Sequence, residues 1–159
     1  MSVAFTREED YEARAADLPD LPVSSRPNLV TRTGLQAIEE ALAKARAAYA
    51  AAPAEGAISS DRTAMARATR DLRYWSTRRA SAQLTEPAPA AGQVQFGRTV
   101  RIVREGGREQ AFRIVGEDEA DPAAGKISYV SPLARAMLGK LEGEIVLVSD
   151  AEVEILQVE

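Results

Sequence analysis

Residues 112–140 read FRIVGEDEADPAAGKISYVSPLARAMLGK, and their reading decides the fold of the C-terminal half. The apolar run from Phe112 to Val115 predicts a strand, and an acidic loop, Glu117 to Asp121, follows it. A short strand is expected from Lys126 to Val130. Ser131 then suits an N-cap and Pro132 the first turn of a helix that ends at Gly139. Leu133, Met137 and Leu138 form the expected buried face of that helix. The flanking sequence keeps a period of two. Gln93–Val103 and Gln110–Val115 alternate around Gly106-Gly107, and Ile145–Ser149 and Val153–Val158 form a second hairpin about Asp150-Ala151. Residues 93–159 are therefore expected to form a strongly twisted antiparallel β-sheet with one helix packed on it.

Upstream, the period changes. Leu35, Ile38, Leu42, Ala45, Tyr49 and Ala52 recur at alternating steps of three and four, as do Met65, Ala68, Leu72, Trp75, Arg79 and Ala82. Each series predicts one apolar seam on an α-helix. Thr33 is the expected cap of the first helix, and Pro53 stops it. The second helix is expected from Asp61, its N-cap, to Leu84. Two seams joined by the turn Pro53–Ser60 read as an antiparallel hairpin over residues 29–84, about 30 Å long at 1.5 Å rise per residue. Arg79, on a seam position near the base, is expected to turn its charged end outward. Residues 85–92, with two prolines, form a semi-rigid linker. Residues 1–28 are an N-terminal extension, in which Thr6-Arg7-Glu8-Glu9 has the spacing of a capping box opening a short helix to Asp17. The prolines after Leu18 enforce extended backbone. The fold class is α+β.

Composition narrows the chemistry. The 159 residues contain no Cys and no His, which removes disulfides, thiol catalysis, thiolate metal sites and the commonest general base. No metal site and no cofactor are expected. No apolar run reaches the ~20 residues needed to span a bilayer. The opening MSVAFTREEDYEAR is too acidic for a signal peptide, so a cytoplasmic, monomeric protein is expected. The net charge of −4 conceals an asymmetry. Residues 61–84 carry six Arg against two Asp, whereas residues 92–159 carry eight basic and twelve acidic side chains. A basic helix between acidic segments is a polar contact surface or a solvated face.

The order Phe96-Gly97, Phe112-Arg113-Ile114-Val115-Gly116, Asp118-Glu119-Ala120-Asp121, Ile127-Ser128, Ser131-Pro132-Leu133-Ala134-Arg135-Ala136 and Gly139-Lys140 resembles the C-terminal domain of the bacterial GreA/GreB transcript-cleavage factors. Leu29-Val30-Thr31-Arg32-Thr33-Gly34-Leu35 resembles the start of their coiled coil. The resemblance implies an FKBP-like C-terminal fold and RNA polymerase as partner. It also implies docking at the rim of the polymerase's secondary channel. Glu117, Asp118, Glu119, Asp121, Ser131, Pro132 and Arg135 are the expected docking residues. Arg62, Arg67, Arg70 and Arg73 are expected to line the channel or to contact nascent RNA or DNA.

The tip departs from the family. Gre tips carry an Asp and a Glu one turn apart, so that both carboxylates share a face and help hold Mg²⁺ at the polymerase's own active centre. Here the aligned segment is Ser60-Asp61-Arg62-Thr63-Ala64-Met65, so Ala64 stands where the Glu belongs. Asp61 and Glu55 are weak candidates for tip metal coordination, and the helical arms are several turns shorter than is usual in the family. The expectation is a factor that regulates elongation or initiation at the channel without strong transcript cleavage and is not itself an enzyme. The alternative is a working cleavage stimulator using Asp61. A peptidyl-prolyl isomerase or chaperone is a remote third reading.

Overall fold

The computed structural model describes residues 18–52, 59–89 and 92–159, excluding the side chains of residues 59–61. The expected capping box and short helix before Asp17, and Glu55 with most of its turn, lie outside the described residues. Among the described residues the elements are, in order, β1 Leu29–Val30, α1 Arg32–Ala51, α2 Ser59–Ser81, β2 Gln83–Leu84, β3 Thr99–Arg104, β4 Glu109–Val115, β5 Lys126–Ser128, α3 Pro132–Met137, β6 Ile145–Val148 and β7 Ala151–Val158, with a 3₁₀ turn at Pro122–Ala124. They divide into two compact units. Residues 37–81 and the segment before Pro27 form one; residues 27–36 and 82–159 form the other.

In the second unit, five strands lie in the order β5-β4-β3-β7-β6. The pairings β3–β4, β3–β7 and β6–β7 are antiparallel. The expected antiparallel sheet needs one correction: β5 runs parallel to β4, Arg113 pairing with Lys126 and Val115 with Ser128. A parallel neighbour needs a connection that returns the chain to the starting end of the strand. The acidic loop and the 3₁₀ turn supply it. Alternation along β3 and β7 buries one face: Val100, Ile102, Val153 and Ile155 are fully enclosed with Ala134 and Met137 of α3, and on β4 both Ile114 and its neighbour Val115 are enclosed as well. Ala134 takes the central place expected of Leu133 and Leu138, which are only partly buried against the same core. Residues 93–98 are not strand. Gly97 has φ +87°, which leaves the β region, and Phe96 turns into the core.

The β6–β7 turn is two residues, Ser149 (φ +50°) and Asp150 (φ +65°), with Val148 paired to Ala151. Two positive φ angles give the turn whose twist matches that of the flanking strands. It lies one residue before the expected position, so β7 starts at Ala151. Val146 and Val153 face the core, while Ile145 and Leu147 are 59% and 66% exposed on the outer face.

A second, two-stranded sheet joins the roots of the hairpin: β1 pairs in parallel with β2, Leu29 against Gln83 and Val30 against Leu84. Thr31, not Thr33, caps α1. Its Oγ1 accepts from the Gly34 N–H at 2.9 Å, the bond an N-cap makes with the third helical residue.

In the first unit, Ile38, Leu42 and Ala45 of α1 and Ala68 of α2 are buried as the seams require, but Tyr49 is 43% exposed. The phase of α2 also differs. Arg78 is 2% exposed, whereas Arg79 lies at the surface with Nε 3.0 Å from Glu39 Oε1. Tyr74 and Trp75, neighbours in the chain, stack edge to face at 5.0 Å. Glu39 draws Arg79 out.

Candidate functional site

Two regions carry the residues singled out by sequence: the border of β5, and α2. Strand β5 lies at one edge of the five-stranded sheet. The acidic loop leads into it and the cap of α3 leads out, so both parts of the expected docking set flank one short strand.

At the loop, Asp121 is exposed. Its backbone exchanges hydrogen bonds with Lys126, N–H to O at 2.9 Å and O from N–H at 3.0 Å, which closes the loop over the 3₁₀ turn. Its side chain makes no capping bond. Asp118 is half-buried, and one carboxylate oxygen of Glu117 is enclosed. Glu119 differs from its neighbours: its side chain is 6% exposed, with Oε2 2.6 Å from Thr31 Oγ1 and Oε1 3.9 Å from Lys126 Nζ. It faces the start of α1 and offers no exposed carboxylate to a partner. At the other side of β5, the Ser131 hydroxyl accepts from the Ala134 N–H at 3.3 Å, and Pro132 occupies the first turn. Pro132 and Arg135 are exposed. Tyr129, just after β5, stacks edge to face on Phe96 at 5.8 Å and donates its hydroxyl to the Pro27 carbonyl.

Two glycines border this packing and were not singled out as site residues; a backbone carbonyl makes the first of them obligatory. A Cβ on Gly116 would lie 2.3 Å from the Leu29 carbonyl oxygen, and one on Gly34 would lie 2.6 Å from Glu119 Oε2. The Thr31-x-x-Gly34 spacing was the available signal, because a capping residue meets the backbone N–H of the third residue in its helix. At the same root, the exposed guanidinium of Arg32 bonds Glu86 at 2.6 Å. That hydrogen bond, followed by the charge of Glu86, raises its already high pKa.

On α2, Arg62, Arg67 and Arg73 are exposed and Arg70 is half-buried. They do not form one basic face. Arg62 and Arg73 are 11 residues apart and so nearly eclipsed, while Arg67 points well away from them at ~100° per residue. Arg67 instead borders an open groove of about 350 Å³ between the helices, lined also by Ala48, Ala51, Ala52, Ala64, Ala68 and Asp71. Arg70 Nε is 3.4 Å from Asp71 Oδ1, and Arg73 is 3.2 Å from Asp20 in the segment before Pro27. Helix α2 begins at Ser59, so Asp61 falls inside its first turn and is not the N-cap. A carboxylate there is still favoured by the helix dipole. Ala64, three residues on, supplies no second oxygen ligand. Among the described residues, no three acidic side chains gather in a metal-binding cluster, and no helix is long and apolar enough to cross a membrane.

Residues 88–159 match the family model described as "Transcription elongation factor, GreA/GreB, C-term". The chain is 43% identical over 96 residues to transcription elongation factor GreB of Neisseria meningitidis serogroup B, covering 57% of this chain and 59% of the relative. It is 47% identical over 85 residues to GreA of Alkalilimnicola ehrlichii, covering 49% and 54%. The chain thus spans a little over half the length of these curated relatives. Among solved structures, GreA factor homolog 1 (Gfh1) of Thermus thermophilus overlaps 84% of this chain and 99% of its own at 17% identity, with a TM-score of 0.40. An overlap that loose carries no inference. The names of the relatives correct one expectation. GreA and GreB belong to the family whose resemblance implies stimulation of a cleavage reaction, so the expectation of a chain standing outside catalysis does not hold.

Proposed function

We propose that this chain, which belongs to the GreA/GreB family through residues 88–159, is a transcription elongation factor that binds RNA polymerase in the cytoplasm. The observation that carries this reading is the C-terminal family match, spanning the sheet with β5 and its two flanking segments. Docking falls first to Asp121, Pro132 and Arg135, the exposed residues of the loop and helix cap, with Glu117 and Asp118 half-buried beside them. The helical hairpin enters the secondary channel. There Asp61 supplies one carboxylate toward the polymerase's catalytic Mg²⁺, and Ala64 leaves the place of the second empty.

One carboxylate coordinates Mg²⁺ poorly, since the ion requires several oxygens in near-octahedral array. The chain therefore stimulates cleavage less than a tip with both acids. Part of its effect comes from occupying the channel. Core polymerase titrated with labelled protein tests the docking, and absence of binding at micromolar concentration sinks it. A backtracked complex assayed for short 3′ RNA tests the tip. Slow cleavage is expected, accelerated by Ala64→Glu, which restores the i, i+3 pair. The names of the relatives favour a second reading, a full cleavage stimulator. Rapid cleavage by the native chain that disappears in Asp61→Ala would establish it.

A further inference from the structure

Glu119 belongs by sequence to the acidic loop, yet its carboxylate is enclosed at 6% exposure and bonded across 88 residues of chain to Thr31. The Thr31 hydroxyl both donates and accepts there. Its proton goes to Glu119 Oε2 at 2.6 Å, and its oxygen accepts the Gly34 N–H at 2.9 Å. Capping alone needs only the threonine. The added carboxylate incurs a desolvation cost, so its presence calls for a further reason. Two glycines clear the way for it. A Cβ on Gly34 would occupy space 2.6 Å from the same Oε2, and one on Gly116, where the loop begins, would strike the Leu29 carbonyl at 2.3 Å. Loop and helix start therefore close on each other: at Gly116 a backbone carbonyl leaves no room for a side chain, and at Gly34 the carboxylate end of Glu119 would have to move aside.

We propose that Glu119 is a positioning residue. It ties the first turn of α1 to the acidic loop, so that a partner seated on the outer acids of that loop also holds the root of the hairpin. This rests on the reading that the loop docks on polymerase. It divides the loop into Asp118 and Asp121, facing the partner, and Glu119, facing the helix.

The experiment has two arms. In the isolated full chain, amide hydrogen exchange is followed at Gly34 and Leu35, with Leu42 in the same helix as reference. Glu119→Ala is expected to speed exchange at Gly34 and Leu35 about tenfold, the effect of losing one hydrogen bond to a charged group, while Leu42 stays near its native rate. Glu119→Gln, which keeps an acceptor for the Thr31 hydroxyl, restores most of the protection. If the alanine variant exchanges globally, Glu119→Asp, whose carboxylate is one methylene short of Thr31 while the cap on Gly34 stays intact, takes its place. With core polymerase, Glu119→Ala is expected to bind within about threefold of the native chain and to lose about tenfold of its effect on elongation, as one lost charged hydrogen bond predicts. Native exchange rates at Gly34 in Glu119→Ala overturn the proposal. Equal losses of binding and effect make Glu119 a docking residue and overturn it as well. A native chain that does not bind polymerase sinks the docking reading instead, and the exchange arm then still decides the placement of Glu119.

Discussion

The sheet body and the helical hairpin bury different things. The body encloses branched aliphatic side chains, with Val100, Ile102, Ile114, Val153 and Ile155 at 0% exposure. Among the described residues of the hairpin helices the buried ones are Ile38, Leu42, two alanines and an arginine, and an alanine-lined groove lies between the helices. The body draws its stability from a core of its own. The hairpin relies more on the helix propensity of alanine-rich α1 and on its capped root. A region with such a core keeps its shape unaided, whereas a lightly packed helix pair is shaped at its anchored end.

Four substitutions sharpen or break this contrast. Ile102→Ala should cost about 3–4 kcal/mol in urea unfolding followed by far-UV circular dichroism. Trp75 fluorescence, reporting α2, should then show a separate transition. Coincident transitions would mean that the hairpin has no stability apart from the body. Gly116→Ala should cost about 2 kcal/mol, because a backbone carbonyl cannot move aside as a side chain can. Differential scanning calorimetry would show it, and a neutral result would remove the close approach of β1 to the loop. Ala48→Leu should stabilise the hairpin by about 0.5–1 kcal/mol by filling the groove, and a loss of stability would show that the groove is already closed in solution. Arg79→Ala should change stability by less than about 0.5 kcal/mol, since its pair with Glu39 is half exposed on both sides.

The sequence was legible where a period was long enough to express a face. The alternation of β3, β4 and β7 and the Ser131-Pro132 cap placed most of the sheet body. The short pieces were not legible. Two-residue strands such as β1 and β2 have no period, and three-residue β5 does not reveal that it runs parallel. On α2, Arg78 and Arg79 are chemically identical neighbours. Arg79 pairs with Glu39 at the surface while Arg78 is buried, a choice that no seam template contains. In the acidic loop, four similar carboxylates within five residues conceal that Glu119 turns inward. Its partner there, Thr31, is a residue far off in the chain.

Strand β6 reads Ile-Val-Leu-Val, apolar at every position. Its own pattern therefore holds no instruction about which side chains go inside. The instruction comes from next door. The two-residue turn at Ser149-Asp150 pins β6 to β7, whose glutamates at 152 and 154 alternate with Val153 and Ile155 and so cannot be ambiguous. One residue inserted in that turn would exchange Ile145 and Leu147 for Val146 and Val148 on the outer face while leaving the strand's composition untouched. The character of this sheet edge is thus stored in a turn that contributes almost nothing to it.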